Sequence, residues 1–330
     1  MSMSRSLHAC ERLSVPALRQ LLRDTDTLLF DCDGVVWRGA DALPGAAATL
    51  NALLRTPGKR VFFLTNNSSA TRAGHADKLR RLGVRLPGGG DDDDDDPQRS
   101  VYGTAHCAPL FLLLQRQQEQ QQEEKQRPYK VYLIGSEAMA SALEEAGIPF
   151  VGGPGPEVDL GWPPEKPELD PDVRAVLLGF DRHFSYAKMV RAVAYLRDPA
   201  CAFVATNTDT CLPLEGDRVI PGTGSLLAAL ECASQRKAAI VGKPSEFMFE
   251  CVLRAEKVAR ERCLMVGDRL DTDILMGTQC GLPTLLVLTG VSTLAEAQAC
   301  RDSNDHERQK LAPTYVIDSI ADLLPAIDEL

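Results

Sequence analysis

Phe30-Asp31-Cys32-Asp33-Gly34-Val35-Val36-Trp37 closes an apolar run that starts at Thr27. A short, continuous apolar run of this kind reads as a buried parallel strand. Gly34 then lets the chain turn sharply at the strand's carboxyl end. The same arrangement recurs along the chain. Val61 to Leu64 runs into Thr65-Asn66-Asn67-Ser68, Ala238 to Val241 into Gly242-Lys243-Pro244, and Leu264 to Val266 into Gly267-Asp268-Arg269-Leu270-Asp271-Thr272-Asp273. Thr284 to Leu288 is a fifth strand candidate. Helical patterns lie between these runs: Gly45 to Leu54 stops before Pro57-Gly58, and Ser245 to Val258 opens on a serine suited to cap it. The expected fold is α/β, built on an open, Rossmann-like parallel sheet. Such sheets bind ligands at the carboxyl ends of their strands, so the four exit clusters should converge on one crevice.

The residues brought there define a chemistry. Asp31 and Asp33 lie two apart at a turn, so one can meet a phosphorus atom while the other meets the leaving oxygen. That division is one of nucleophile and general acid/base. A carboxylate attacking an anionic phosphate meets like-charge repulsion, which a bound Mg²⁺ relieves, and Asp268 supplies a second hard oxygen ligand. Lys243 is a fixed positive charge for the phosphate, and Thr65, Asn66 and Asn67 offer uncharged donors. Each cluster alone has a plainer reading. Asp-x-Asp-Gly also occurs in turns and calcium loops, Thr-Asn-Asn is a turn, Gly-Lys-Pro a strand exit and Gly-Asp a helix cap. All four occur in order, each after a strand, and together they point to a phosphate site.

The chain has 330 residues, 44% of them hydrophobic, with 36 Lys+Arg against 46 Asp+Glu and a formal net charge of -10. Its length fits about two domains with sizeable cores. Nucleic-acid binders are usually basic, so that class is disfavoured. No window approaches the run of about 20 apolar residues that a membrane span needs. The N-terminal stretch Met1 to Cys10 has no apolar segment and does not read as a secretory signal. The ending Ile327-Asp328-Glu329-Leu330 lacks the lysine of an ER-retention tail. Ten cysteines without a Cys-x-x-Cys pair fit reduced thiols, so a soluble, cytoplasmic protein is expected.

Much of the acidity is local. Asp91 to Asp96 follow Gly88-Gly89-Gly90 and read as a solvated loop, and the Gln-rich segment from Gln115 to Arg127 reads as a helix end or linker. The stretch 117–237 has its own strands (Val131 to Ile134, Ala175 to Leu178, Cys201 to Ala205) and helices. It is expected to be an inserted α/β domain that divides the core into 1–116 and 238–330. Cys32, between two aspartates, should be a buried and unreactive thiol. His183 reads as a packing or surface histidine, and Gly222-Thr223-Gly224 as a turn before the helix Ser225 to Leu230.

The four motifs together resemble those of the haloacid dehalogenase-type phosphatases that carry a large cap between the second and third motifs, and the resemblance covers nearly the whole chain. It implies that Asp31 forms an aspartyl-phosphate and that Asp33 protonates the leaving alkoxide and later activates water. It also implies Mg²⁺ held by the side chains of Asp31 and Asp268 and the backbone carbonyl of Asp33, with Asp273 orienting Lys243 or metal-bound water. Thr206 to Leu214 corresponds to the cap's specificity loop. Family members that hydrolyse pyridoxal 5′-phosphate carry a histidine where Leu212 stands. Leu212, with Thr65 and Gly135-Ser136, therefore favours small aliphatic esters such as 2-phosphoglycolate and glycerol 3-phosphate, with pyridoxal 5′-phosphate as the alternative. Readings of another class are a phosphotyrosine protein phosphatase and a non-catalytic regulatory binding protein. The resemblance also implies a homodimer contact through the cap.

Overall fold

A computed structural model describes residues 10–87, 96–120, 128–157, 161, 167–213 and 218–330. Asp91 to Asp95, residues 121–127 of the Gln-rich segment and Leu214 lie outside that set. The chain forms two compact units. The first comprises Met1–Thr65, Ala73–Tyr102 and Lys243–Leu330, and the second Asn66–Arg72 and Gly103–Gly242. The second unit thus starts earlier and ends later than the expected 117–237.

The first unit is built on a seven-stranded sheet in the order Glu11–Arg12, Tyr315–Ile317, Thr284–Val287, Cys263–Gly267, Thr27–Asp31, Arg60–Thr65, Val101–Gly103. Pairing is parallel from Glu11–Arg12 across to Arg60–Thr65. Thr27–Asp31 and Cys263–Gly267 are central and buried at every position, which explains the continuous apolar runs Leu28 to Phe30 and Cys263 to Val266 within them. Register puts Phe30 between Val266 and Phe63, and all three are fully buried in one core cluster with Leu28, Leu264 and Trp37. From Thr27–Asp31 the chain first builds outward through Arg60–Thr65, and later returns to add Cys263–Gly267 on the opposite flank. The order therefore reverses between those two strands, and an open sheet has its crevice at such a point. Asp31 ends one of them and Asp268 follows the other.

The second unit has a five-stranded parallel sheet in the order Ala239–Ile240, Ala202–Ala205, Val173–Leu178, Lys130–Ile134, Phe150–Gly152, with its own core around Tyr132, Val176, Phe203 and Leu230. This corrects one expectation: the strand before Lys243, expected in the core sheet, pairs with Ala202–Ala205 instead. Both sheets are parallel and buried, so a short apolar run carries no mark of which one it joins. No helix among the described residues is long and apolar enough to cross a membrane.

Candidate active site

Thr27–Asp31 runs straight into its turn. The amides of Val36 and Trp37 donate to the Cys32 carbonyl, and the Gly34 N–H donates to the Trp37 carbonyl at 2.7 Å. Gly34 has φ +80, and a Cβ there would stand 2.4 Å from Asp268 Oδ2, so glycine is needed for both backbone and space. The turn keeps Asp31 buried and leaves Asp33 exposed.

Lys243, itself 2% exposed, joins Asp31 to the neighbouring strand exit. Its Nζ donates to Asp31 Oδ1, donates to the Leu64 carbonyl at 3.1 Å, and pairs with Asp273 Oδ1 at 2.7 Å. Asp273 is fully buried on the π-helical turn Leu270–Ile274, and its other oxygen accepts from the amides of Asp268 and Arg269 at 3.1 Å each. One side chain therefore fixes both the lysine and the backbone that presents Asp268. Asp268 Oδ2 accepts from the Val291 amide at 2.8 Å, while its buried Oδ1 has no hydrogen-bond partner among the described residues.

Asp31, Asp268 and Asp273 offer oxygens that all lie within 4.8 Å of one another. Three carboxylates against one ammonium leave an excess of two negative charges in a buried space. Burial pushes the Asp31 carboxyl up against the pull of Lys243, with Asp273 and Asp268 adding to the rise. Burial, then the Asp273 charge, pushes Asp268 up to about 7. For Lys243, burial favours the neutral amine, but Asp273 and Asp31 outweigh it and hold the ammonium charged. An unpartnered buried carboxylate oxygen, hard oxygen donors and uncompensated negative charge fit a divalent cation such as Mg²⁺.

The structure thus brings Lys243 and Asp273 against Asp31, with Asp268 just past the end of the adjacent strand Cys263–Gly267 and Asp33 on the same turn as Asp31. Thr65 ends the strand next to Asp31 and is buried. Asn66, Asn67 and Leu212 fall in the second unit. There the Asn66 carbonyl accepts from Thr104 Oγ1 at 2.9 Å and from Asn207 Nδ2 at 2.8 Å. The Thr-Asn-Asn motif is thereby tied to the expected specificity loop. Asn67 Oδ1 accepts from the Ser69 amide at 2.8 Å. Leu212 is half-buried in the antiparallel ribbon of Cys211–Pro213 and Val219–Pro221, opposite Ile220. Cys32 is fully buried, and burial together with the charges of Asp31 and Asp33 pushes its thiol well up, as expected of an inert side chain. His183 accepts from Arg182 within the second unit.

Sequence reasoning missed the segment after the fifth strand, Thr289-Gly290-Val291-Ser292. Besides the Val291 amide on Asp268 Oδ2, the Ser292 amide donates to the Asp268 carbonyl at 3.0 Å, and Thr289 Oγ1 donates to the Gly34 carbonyl at 2.6 Å. The signal was present, because this too is a turn at the carboxyl end of a parallel strand.

Two family models match the chain: haloacid dehalogenase-like hydrolase over residues 28–149 and HAD-hydrolase-like over residues 240–323. The chain is 50% identical over 321 residues to the Homo sapiens glycerol-3-phosphate phosphatase, covering 96% of each. It is 42% identical over 320 residues to Homo sapiens chronophin, covering 97% of this chain and 99% of that one. Among solved structures, it is similar to a Mycobacterium tuberculosis glycerol phosphate phosphatase in complex with magnesium. The TM-score there is 0.69 at 27% identity, over 92% of this chain and 77% of that chain. The chain belongs to the haloacid dehalogenase-like hydrolases.

Proposed function

We propose that this chain is a Mg²⁺-dependent phosphatase that hydrolyses small phosphate monoesters, glycerol 3-phosphate and 2-phosphoglycolate foremost, through an aspartyl-phosphate on Asp31. The observation that carries the reading is the buried cluster of Asp31, Lys243, Asp268 and Asp273, with one Asp268 oxygen unpartnered. In the first step an Asp31 oxygen bonds to phosphorus as the ester P–O bond breaks, and Asp33 gives its proton to the departing alkoxide. In the second step Asp33 takes a proton from water, whose oxygen attacks phosphorus and frees the Asp31 carboxylate. Lys243, held by Asp273, balances the phosphate's charge throughout. Thr65, Asn66 and Asn67 donate to its remaining oxygens. The side chains of Asp31 and Asp268 and the Asp33 carbonyl would hold Mg²⁺, which when bound neutralises charge shared by nucleophile and phosphate.

Substrate choice is assigned to the second unit, acting as a cap, and within it to the Thr206–Leu214 loop and Leu212. Leucine cannot hydrogen-bond a pyridoxal ring, which supports small aliphatic esters, as does the 50% identity to a glycerol-3-phosphate phosphatase. We assign the protein to the cytoplasm on its ten unpaired thiols, and a homodimer to contacts of the second unit, which sedimentation would test. The deciding measurement compares kcat/KM with Mg²⁺ on glycerol 3-phosphate, 2-phosphoglycolate, pyridoxal 5′-phosphate and a phosphotyrosine peptide. Preference for the first two is expected, and Leu212→His should move the ratio toward pyridoxal 5′-phosphate. Phosphate release from none of them would return the protein to the regulatory binding class.

A further inference from the structure

Asp33 is the only exposed member of the expected site residues. A solvated carboxylate on a turn samples several rotamers, whereas proton transfer requires one within hydrogen-bond reach of the ester oxygen. One neighbour restrains it. Trp37 Nε1 donates to Asp33 Oδ1 at 2.8 Å.

The indole is well placed to act as a fixed point. It is 1% exposed and part of the core cluster under the central strands. Its backbone is locked to the Asp33 turn, donating to the Cys32 carbonyl at 3.1 Å and accepting from the Gly34 amide at 2.7 Å. On the ring face, Lys78 Nζ lies 4.1 Å from the centroid, in cation–π range, and donates to the Gly39 carbonyl at 2.9 Å. Lys78 comes from the helix Arg72–Arg81, so the ring is held from a different element than the one carrying Asp33. An indole N–H is donor only, so the oxygen facing it must accept. The transferable proton then belongs on Oδ2.

We propose that Trp37 is a positioning residue for Asp33: its N–H fixes Oδ1 so that Oδ2 carries the proton to the leaving alkoxide and from the attacking water, and Lys78 clamps the indole plane. This rests on the phosphatase reading given above. It goes further in assigning a role to an aromatic side chain that its burial alone would class as core.

The leaving group separates positioning from packing. Alkoxides need a proton as the P–O bond breaks, while 4-nitrophenolate departs without one. The quantity kcat/KM covers events up to alcohol release. Trp37→Phe removes the N–H and keeps a ring under Lys78, so kcat/KM on glycerol 3-phosphate should fall about tenfold or more, with that on 4-nitrophenyl phosphate held within about twofold. Because Phe is smaller, the companion variant carries β-(3-benzothienyl)alanine at position 37, in which sulfur replaces the N–H at nearly constant shape. It should show the same selective loss, and Lys78→Met a smaller loss of the same kind. Equal losses on the two esters, or none on either, in the benzothienyl variant would overturn the assignment. A wild-type protein that turns over neither ester would instead overturn the phosphatase reading, and this assignment with it.

Discussion

Lys243 holds two carboxylates with one charge, and the third, Asp268, makes no ion pair among the described residues. This decides what substitution at Asp31 does. Asp31→Asn puts a neutral amide where burial already disfavours the charged carboxylate, and leaves Lys243 paired to Asp273 and the Leu64 carbonyl. Breaking a buried pair is costly when it strands a charge, and here none is stranded. The metal-free variant should therefore melt at or above the wild-type temperature. Its amide cannot form the acyl-phosphate, so turnover should fall on the order of a thousandfold or more. Steady-state hydrolysis and thermal melting, run on the same preparation, check both halves. A variant that melts early and loses activity in parallel would point to a structural role for Asp31 instead.

The segment Thr289-Gly290-Val291-Ser292 does its work through backbone and empty space. A Cβ on Gly290 would lie 1.7 Å from Asp268 Oδ2 and 2.4 Å from Asp268 Cβ, so either the loop or the carboxylate must move. Moving either one breaks the Val291 amide's hydrogen bond to Oδ2. Gly290→Ala should destabilise the fold by about 1–3 kcal/mol, as overpacking does. It should also weaken Mg²⁺ binding by about 10- to 100-fold, the usual cost of losing a group that orients a metal ligand. Calorimetric titration of the variant with Mg²⁺ reads this without any substrate, and an unchanged affinity would mean that the loop does not set the position of Asp268. The same segment marks the limit of what the sequence conveys. Asp31, Lys243 and Asp268 were legible because their clusters follow apolar runs in order along the chain, although each alone has a plainer reading, whereas the role of Asp273 came from the family resemblance. Gly290 and the Val291 amide carry no side-chain signature, and Trp37 reads as core because it is core. The strand Ala239–Ile240 was seen as a strand but assigned to the wrong sheet, since periodicity reports burial and not partners. The edge strands Glu11–Arg12 and Val101–Gly103 are too short to register as a pattern at all.

For the molecule as a whole, the acidity that stands out in the composition divides into surface charge and a few buried carboxylates, and only the second kind couples stability to metal. Burial, with the Asp273 charge beside it, pushes the folded Asp268 carboxyl up to about 7 from an ordinary value of 3.8. Between those values the folded state holds a proton that the unfolded chain has already released. Metal-free stability should therefore fall as pH rises through this window, and the raised Asp31 carboxyl acts in the same direction. Mg²⁺ reverses the sign, because it binds the ionised carboxylates and must displace protons when they are protonated. Its stabilising effect should be small near pH 5 and grow by several degrees in Tm toward pH 8, in line with mass action on a ligand that binds only the folded form. The check is a set of melting curves at matched ionic strength, with EDTA and with saturating Mg²⁺, across that pH range. Asp268→Asn removes the titrating group, so its Mg²⁺-induced shift should be small and nearly flat with pH. A wild-type shift that is equally flat would mean that the buried carboxylates do not hold the metal.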